Sequence, residues 1–347
     1  MEEIKHKRRV RYSGKYPKKF EEKYKEHNPE KYKDTIERVI SKGSTPAGMH
    51  ISIMVNEILD FLQIKPGQQG LDCTLGYGGH TRKMLEQLDG RGCIYGLDVD
   101  PIESKKTLER LRNAGFGEAN FQFRLINFAN IDQVAEEAGQ FDFVLADLGV
   151  SSMQIDNPQR GFSYKIDGPL DLRLDPEHGE SAAQRLRSIT EEEFVGMMIE
   201  NSDEPYAEEI AHKVFTLMSK GNPMDTTTAL REAITEALWK VPKEEKDQAI
   251  KKSCARVFQA LRIDVNSEFE VLYSFLEKLP SVLKPGGRAA ILTFHSGEDR
   301  LVKKSFKELA RQGVYSEVSS DVIRPSAEEC RINPRSKSTK MRWAIKK

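Results

Sequence analysis

In "LDCTLGYGGH", Asp72 precedes Gly76, Gly78, Gly79 and His80, and a second acid, Asp98, follows roughly twenty residues later in "GLDVD". Glycines let a backbone approach a ligand closely. An acid at that distance, ending the next strand, can accept hydrogen bonds from both hydroxyls of a ribose. The dinucleotide fingerprint G-x-G-x-x-G fails here, because Thr81 stands at its last position, and no G-K-[ST] follows to make a Walker loop. The pattern fits a nucleoside-bearing ligand with no pyrophosphate to cradle. S-adenosylmethionine is such a ligand, and a nicotinamide dinucleotide fits less well. Alone the loop reads equally as a turn; Asp98 in register is what favours a site.

A second stretch is "FDFVLADLGVSSMQIDNPQRGF", where Asp147 ends an apolar run and Gly149, Ser151, Ser152 and Gln154 follow. An acid in that place is either a helix cap or a site residue. Methyl transfer to an exocyclic amine gives it a chemical reason. The amine's lone pair is delocalised into its ring, so a hydrogen-bond acceptor on the N–H groups localises it and later helps a proton leave. An already activated methyl donor leaves in-line positioning as most of the remaining task. No metal, Ser-His-Asp triad or activated cysteine is called for.

These residues need a frame that gathers them. From His50 short apolar runs alternate with helical spacing. "GLDC", "GCIYGLD", "NFQFRL", "FDFVLAD" and "GGRAAILTF" read as five buried strands, with helices between them. That alternation predicts an α/β, mostly parallel, doubly wound sheet, and ligands then bind beyond the carboxyl ends of its strands. Asp72, Asp98, Asn127 with Phe128, Asp147 to Gln154, and His295 all fall at such ends. The rhythm stops after the fourth strand, and only helices and loops are expected for about a hundred residues. Thr190 and Glu193 stand at capping-box spacing within this stretch. The expected organisation is a basic extension over 1–49, with a helix over 28–43 and a linker. A sheet domain then covers 50–154, an all-helical insertion 155–252, and the rest of the sheet domain 253–347, ending in a basic C-terminal tail.

The composition of the 347 residues, with no net formal charge, is that of a soluble globular protein. No apolar run approaches the roughly 18 residues that span a membrane. The four cysteines, Cys73, Cys93, Cys254 and Cys330, are scattered, which predicts neither a zinc site nor a disulfide framework and suits a reducing cytoplasm. Both ends are basic and carry aromatics, Tyr12, Tyr16 and Phe20 at one and Trp343 at the other. They read as contacts for a polyanion such as nucleic acid, or equally as solvated tails.

Longer motifs carry a resemblance. "LDCTLGYGGH", "LDVDP", "NFANI", "DLGVSSMQIDNPQRGFSYKIDGPLDLRLDP", "RVFQALRIDVNSE", "LKPGGRAAILTFHSGEDR" and "NPRSKSTKMR" are similar to the RsmH (MraW) family. These are bacterial enzymes that methylate the N4 amine of a cytosine in 16S rRNA, in the decoding region of the small ribosomal subunit. The resemblance runs from about His50 to the C-terminus. It implies a class I S-adenosylmethionine-dependent methyltransferase sheet, Rossmann-like, with a helical domain inserted. Matched motif by motif, it also implies donor contacts at Gly78, Gly79, His80, Asp98, Phe128, Asp147 and Gln154. Three departures stand out: Tyr77 where a further glycine is usual, Gly297 where leucine is usual, and "HISIM" in place of a proline-containing opening. The basic head resembles that of a second branch of the family in Firmicutes-like bacteria.

Taken together, these readings make Asp147 the pivotal carboxylate, facing both donor and reaction centre. Ser151, Ser152 and His295 are candidate groups on the target side, and Arg173, Arg262, Arg335 and Lys337 are candidate RNA contacts. The expected partner is 16S rRNA or the small subunit, with no membrane. Methylation of another nucleic-acid amine, such as adenine N6, and a non-catalytic assembly factor are the alternatives.

Overall fold

The computed structural model describes residues 52–347; the basic head, the helix expected over 28–43 and the linker to His50 lie outside the described residues. The five apolar runs form β1 (Gln69–Asp72), β2 (Cys93–Asp98), β3 (Phe121–Leu125), β4 (Phe141–Asp147) and β5 (Leu283–Thr293), all mutually parallel. Two further strands, β6 (Tyr315–Val318) and β7 (Lys340–Lys346), complete a seven-stranded sheet of order β3-β2-β1-β4-β5-β7-β6. Only β7 is antiparallel to its neighbours, β5 and β6. This is the class I methyltransferase sheet, α/β and doubly wound.

β7 corrects the expectation of a basic tail. Met341, Arg342 and Ala344 are buried, and Trp343 stacks on Phe61 with ring centroids 4.9 Å apart. Arg342 Nε donates to Asp299 Oδ1 at 2.6 Å. Alternate residues of "KMRWAIK" point to opposite faces, as in any strand, but the density of lysine and arginine hides that period.

The chain winds from β1 outward through β2 and β3, then returns to lay β4 and β5 on the other side of β1. Strand order therefore reverses between β1 and β4, which opens a crevice above their carboxyl ends. Asp72, Asp98 and Asp147 each close a strand at that level. β4 is apolar on both sides because both its faces are covered. Phe143 and Leu145 pack with Met54, Ile58 and Met84, and Val144 and Ala146 with Phe275, Leu276 and Leu279.

Around the first half of the sheet lie α1 (Val55–Leu62), α2 (Gly79–Leu88), α3 (Pro101–Asn113) and α4 (Ile131–Ala138). After β4 a short α5 (Ser152–Asp156) leads into α6 (Ala182–Ser188), α7 (Glu191–Ser202), α8 (Ala207–Ser219), α9 (Thr227–Ala237) and α10 (Lys243–Val265). These close on a core of their own that includes Phe194, Ile210, Val214, Leu230, Ile234 and Val257. Thr190 and Glu193 make the capping box at the start of α7. The boundary expected between 252 and 253 falls inside α10, whose buried Val257 and Leu261 still belong to the helical core. The charged run "KEEKDQAIKK" contains no helix breaker, so the helix continues through it to Val265. Next come α11 (Glu268–Val282), β5, α12 (Ser296–Arg311), β6, α13 (Ala327–Ile332) and β7. Among the described residues no helix is long and apolar enough to cross a membrane.

Candidate active site

The crevice floor is built from β1 upward. Asp72 is buried; its Oδ1 accepts from the Thr74 amide at 3.1 Å and its Oδ2 from the Thr81 hydroxyl at 2.5 Å. Burial raises its carboxyl above the ordinary range, against the pull of the Thr81 hydrogen bond. The carboxylate thus ties the loop after β1 to the first turn of α2. Gly78 caps that helix at φ +80, and a Cβ there would stand 2.7 Å from Thr107 Cγ2, so only glycine suits both the turn and the approach of α3. Tyr77, a departure from the family pattern, lies with its ring 3.8 Å beneath the Arg110 guanidinium. It packs on Arg110 of α3, whose Nη2 also donates to the Tyr77 carbonyl at 3.4 Å.

Asp98 faces this loop. Its Oδ2 accepts from the Gly76 amide at 2.7 Å and its Oδ1 from the Asp100 amide at 2.9 Å. Burial pushes its carboxyl up to about 6 despite those bonds. A carboxylate has about four acceptor positions, so capacity remains for a further donor such as a ribose hydroxyl. Phe128 follows β3 and stands edge-on to Phe275, with centroids 5.3 Å apart.

Asp147 ends β4 with its amide on the Thr74 hydroxyl at 2.7 Å. Its Oδ2 lies 3.5 Å from His80 Nδ1, and its Oδ1 is buried without a hydrogen-bond partner. Burial raises its carboxyl to about 6; His80 opposes the rise, while Asp72 and Glu298 add to it. Gly149 takes φ +88, a left-handed conformation that glycine adopts without strain.

Beyond Asp147 several of the expected groups have hydrogen-bond partners within the protein. Ser151 caps α5: its Oγ accepts from the Gln154 amide at 3.2 Å, while Gln154 Oε1 accepts from the Ser151 amide at 2.9 Å. Gln154, expected to contact the donor, also directs Nε2 to Asp100 Oδ2 at 2.9 Å. It does so because Asp100 and Arg160 form a buried pair at 2.6 Å that needs further donors. Ser152 opens α5. His295 precedes α12 with Nε2 3.2 Å from Glu298 Oε1, an ion-pair distance without hydrogen-bond alignment, and its ring edge meets Phe269. Burial works against the Glu298 anion, yet His295, Arg262 and the Phe294 amide hold its carboxyl below the ordinary value.

The candidate RNA arginines have protein partners. Arg173 grips Asp171 through two bonds of 2.7 and 2.8 Å, Arg262 grips Glu268 at 2.7 and 2.9 Å, and Arg335 reaches Asp156 at 3.0 Å. The guanidinium fork matches a carboxylate in two-point geometry, so a nearby acid captures it. Arg262 also supplies the positive charge beside Glu268, His295 and Glu298, the histidine-acid cluster of ligand-like spacing. Lys337 is exposed. Sequence reasoning overlooked Thr74, Thr81 and Arg160. The arginine in "QRGF" carried a signal, since it sits in an otherwise uncharged run beside the crevice segment.

The MraW methylase family model matches residues 47–347. The chain is 70% identical over 341 residues to a protein of Lachnoclostridium phytofermentans named "Ribosomal RNA small subunit methyltransferase H 1", covering 98% of this chain and 93% of that one. It is 67% identical to a protein of the same name from Agathobacter rectalis, over 99% of both chains. A protein of Alkaliphilus metalliredigens named "Ribosomal RNA small subunit methyltransferase H 2" is 59% identical, again over 99% of both. With the sheet order, the glycine loop and the strand-end acids already in place, a match across nearly all of the described chain leaves one assignment: the chain belongs to the MraW methylase family.

Proposed function

We propose that the protein transfers a methyl group from S-adenosylmethionine to the N4 amine of a specific cytosine in 16S rRNA, in the cytoplasm, with rRNA or the small subunit as partner. The observation that carries this reading is Asp147 Oδ1, a buried carboxylate oxygen without a partner at the point where strand order reverses. It stands near the glycine loop that Asp98, at the end of β2, faces with acceptor capacity left for a diol. The residues fit the donor: Asp98 for the ribose, Phe128 against the adenine, and Gly78, Gly79 and His80 along the loop. Bound there, S-adenosylmethionine supplies a methyl group activated by its sulfonium.

The chain's own contribution is positional and electrostatic. Asp147, held by Thr74 through its amide and with a partly exposed side chain, offers its carboxylate as an acceptor for an N–H of the target amine. That contact localises the amine's lone pair and gives its departing proton a place to go. A base treated in this way must be unpaired or extruded from its helix. The names of the relatives support rRNA of the small subunit as the substrate class.

The test is incubation with labelled S-adenosylmethionine and unmodified small subunits, followed by digestion and mass spectrometry of the nucleosides. N4-methylcytidine is the expected product. N6-methyladenosine, or no labelled nucleoside, would sink the proposal.

A further inference from the structure

His80 sits in the first turn of α2 with 8% of its surface exposed, and its two ring nitrogens face unlike partners. Nε2 lies 2.8 Å from the Ile53 carbonyl oxygen. A carbonyl can only accept, so Nε2 carries the hydrogen, and a neutral imidazole has no second one. Nδ1 is therefore a lone pair, and it points at Asp147 Oδ2, 3.5 Å away. Two acceptors face each other across a gap that a single proton would close into a hydrogen bond.

We propose that His80 receives, at Nδ1, the proton that Asp147 takes from the target amine, which makes it the positioning residue that returns Asp147 to its anionic form. This rests on the methyl transfer proposed above. As the N4–carbon bond forms, the carbon–sulfur bond breaks and its electrons stay on sulfur. One N4 proton passes to the partly exposed Asp147 carboxylate. A half-turn of the carboxyl, a soft torsion, then brings that proton to Nδ1. The ring becomes an imidazolium with Nε2–H still on the Ile53 carbonyl and Nδ1–H on Asp147, and it gives the proton up when products leave. The other charged groups facing this pair are acids: Asp72 from β1 is near both residues, and Glu298 from α12 faces Asp147, with His295 on its far side.

The full-chain protein without donor or RNA gives the first readout. Ring-nitrogen NMR should show His80 protonated on Nε2 alone when neutral; a proton on Nδ1 overturns the proposal. The Asp147 carboxyl should titrate at about 6, raised by burial. The second readout is turnover on small subunits. His80→Gln keeps an N–H for Ile53 and lacks the basic nitrogen. It should lower kcat by about 10²-fold at neutral pH, beyond any change in the donor KM, and alter the pH profile. Wild-type kcat and pH profile in that variant, or a loss confined to the donor KM, overturns the proposal. If the wild-type protein methylates no cytosine, the function proposed above fails, and the ring tautomer and Asp147 titration still decide the relay.

Discussion

Arg160 and Asp100 form an ion pair of 2.6 Å with side chains 6% and 1% exposed, joining the segment after β4 to the cap of α3. Arg160 also donates to the Arg173 and Leu174 carbonyls at 3.0 and 2.8 Å, and Asp100 accepts from the Ile102 and Glu103 amides. One guanidinium thus fastens the loop before the helical insertion to the turn that presents Asp98.

Arg160→Ala should therefore destabilise the protein by about 3 to 5 kcal/mol, the usual effect of stranding a buried charge. Urea unfolding measures this loss, and calorimetry of donor binding should show weaker affinity, because the Asp100 amide helps hold Asp98. A variant with unchanged stability would mean that water replaces the guanidinium at no penalty.

Gly297 and Phe269 are matched in shape. A Cβ at 297 would stand 2.7 Å from Phe269 Cζ and 3.2 Å from His295 Nδ1. Gly297→Leu, the residue usual in the family, should cost about 1 to 3 kcal/mol through overpacking. Phe269→Ala in the same chain should recover most of it, and a double-mutant cycle on thermal unfolding measures the coupling. Additive effects would show that Phe269 moves aside freely.

The strand-end acids were legible because an acid closing an apolar run conflicts with its surroundings, and the conflict can be seen within ten residues. Asp72, Asp98 and Asp147 all stand where that reading puts them. What stayed hidden depends on partners far away in sequence. Asp156 meets Arg335 across 179 positions, and Arg160 meets Asp100 across 60. Arg173 could have been doubted from sequence alone, since Asp171 stands two residues before it. The pairing of β7 with β5 was obscured for another reason: lysine and arginine interrupt its apolar residues, and their aliphatic stems let them occupy a strand that is partly buried on both faces.

β7 offers its own test. Burial raises the Asp299 carboxyl, but hydrogen bonds from Arg342 and Lys340 outweigh it and hold the group below its ordinary 3.8. A depressed folded value contributes stability above the unfolded value, and that contribution is lost as pH falls through the folded one. Arg342→Ala should cost roughly 2 to 4 kcal/mol at neutral pH, with Lys340 left as partner. The difference from wild type should shrink as the pH falls below the unfolded value. Denaturant midpoints at several pH values would show it, and a pH-independent difference would assign the loss to packing alone.

Asp147→Asn should separate stability from activity. The wild-type carboxyl has a folded value of about 6 against 3.8 unfolded, so the folded state binds the proton more tightly. Wild-type stability from this group is complete below pH 3.8 and is lost as pH rises through about 6. The asparagine carries no charge to desolvate, and its Nδ2–H can donate to the His80 Nδ1 lone pair. The variant should thus exceed wild type by about 1 to 3 kcal/mol above pH 6, converge with it near pH 4, and lose methyl transfer by about 10²-fold or more. Thermal unfolding from pH 4 to 8 and turnover at pH 8 test both halves. An Asp147→Asn protein less stable than wild type at pH 8 would show that the carboxylate gains more from His80 than burial takes away.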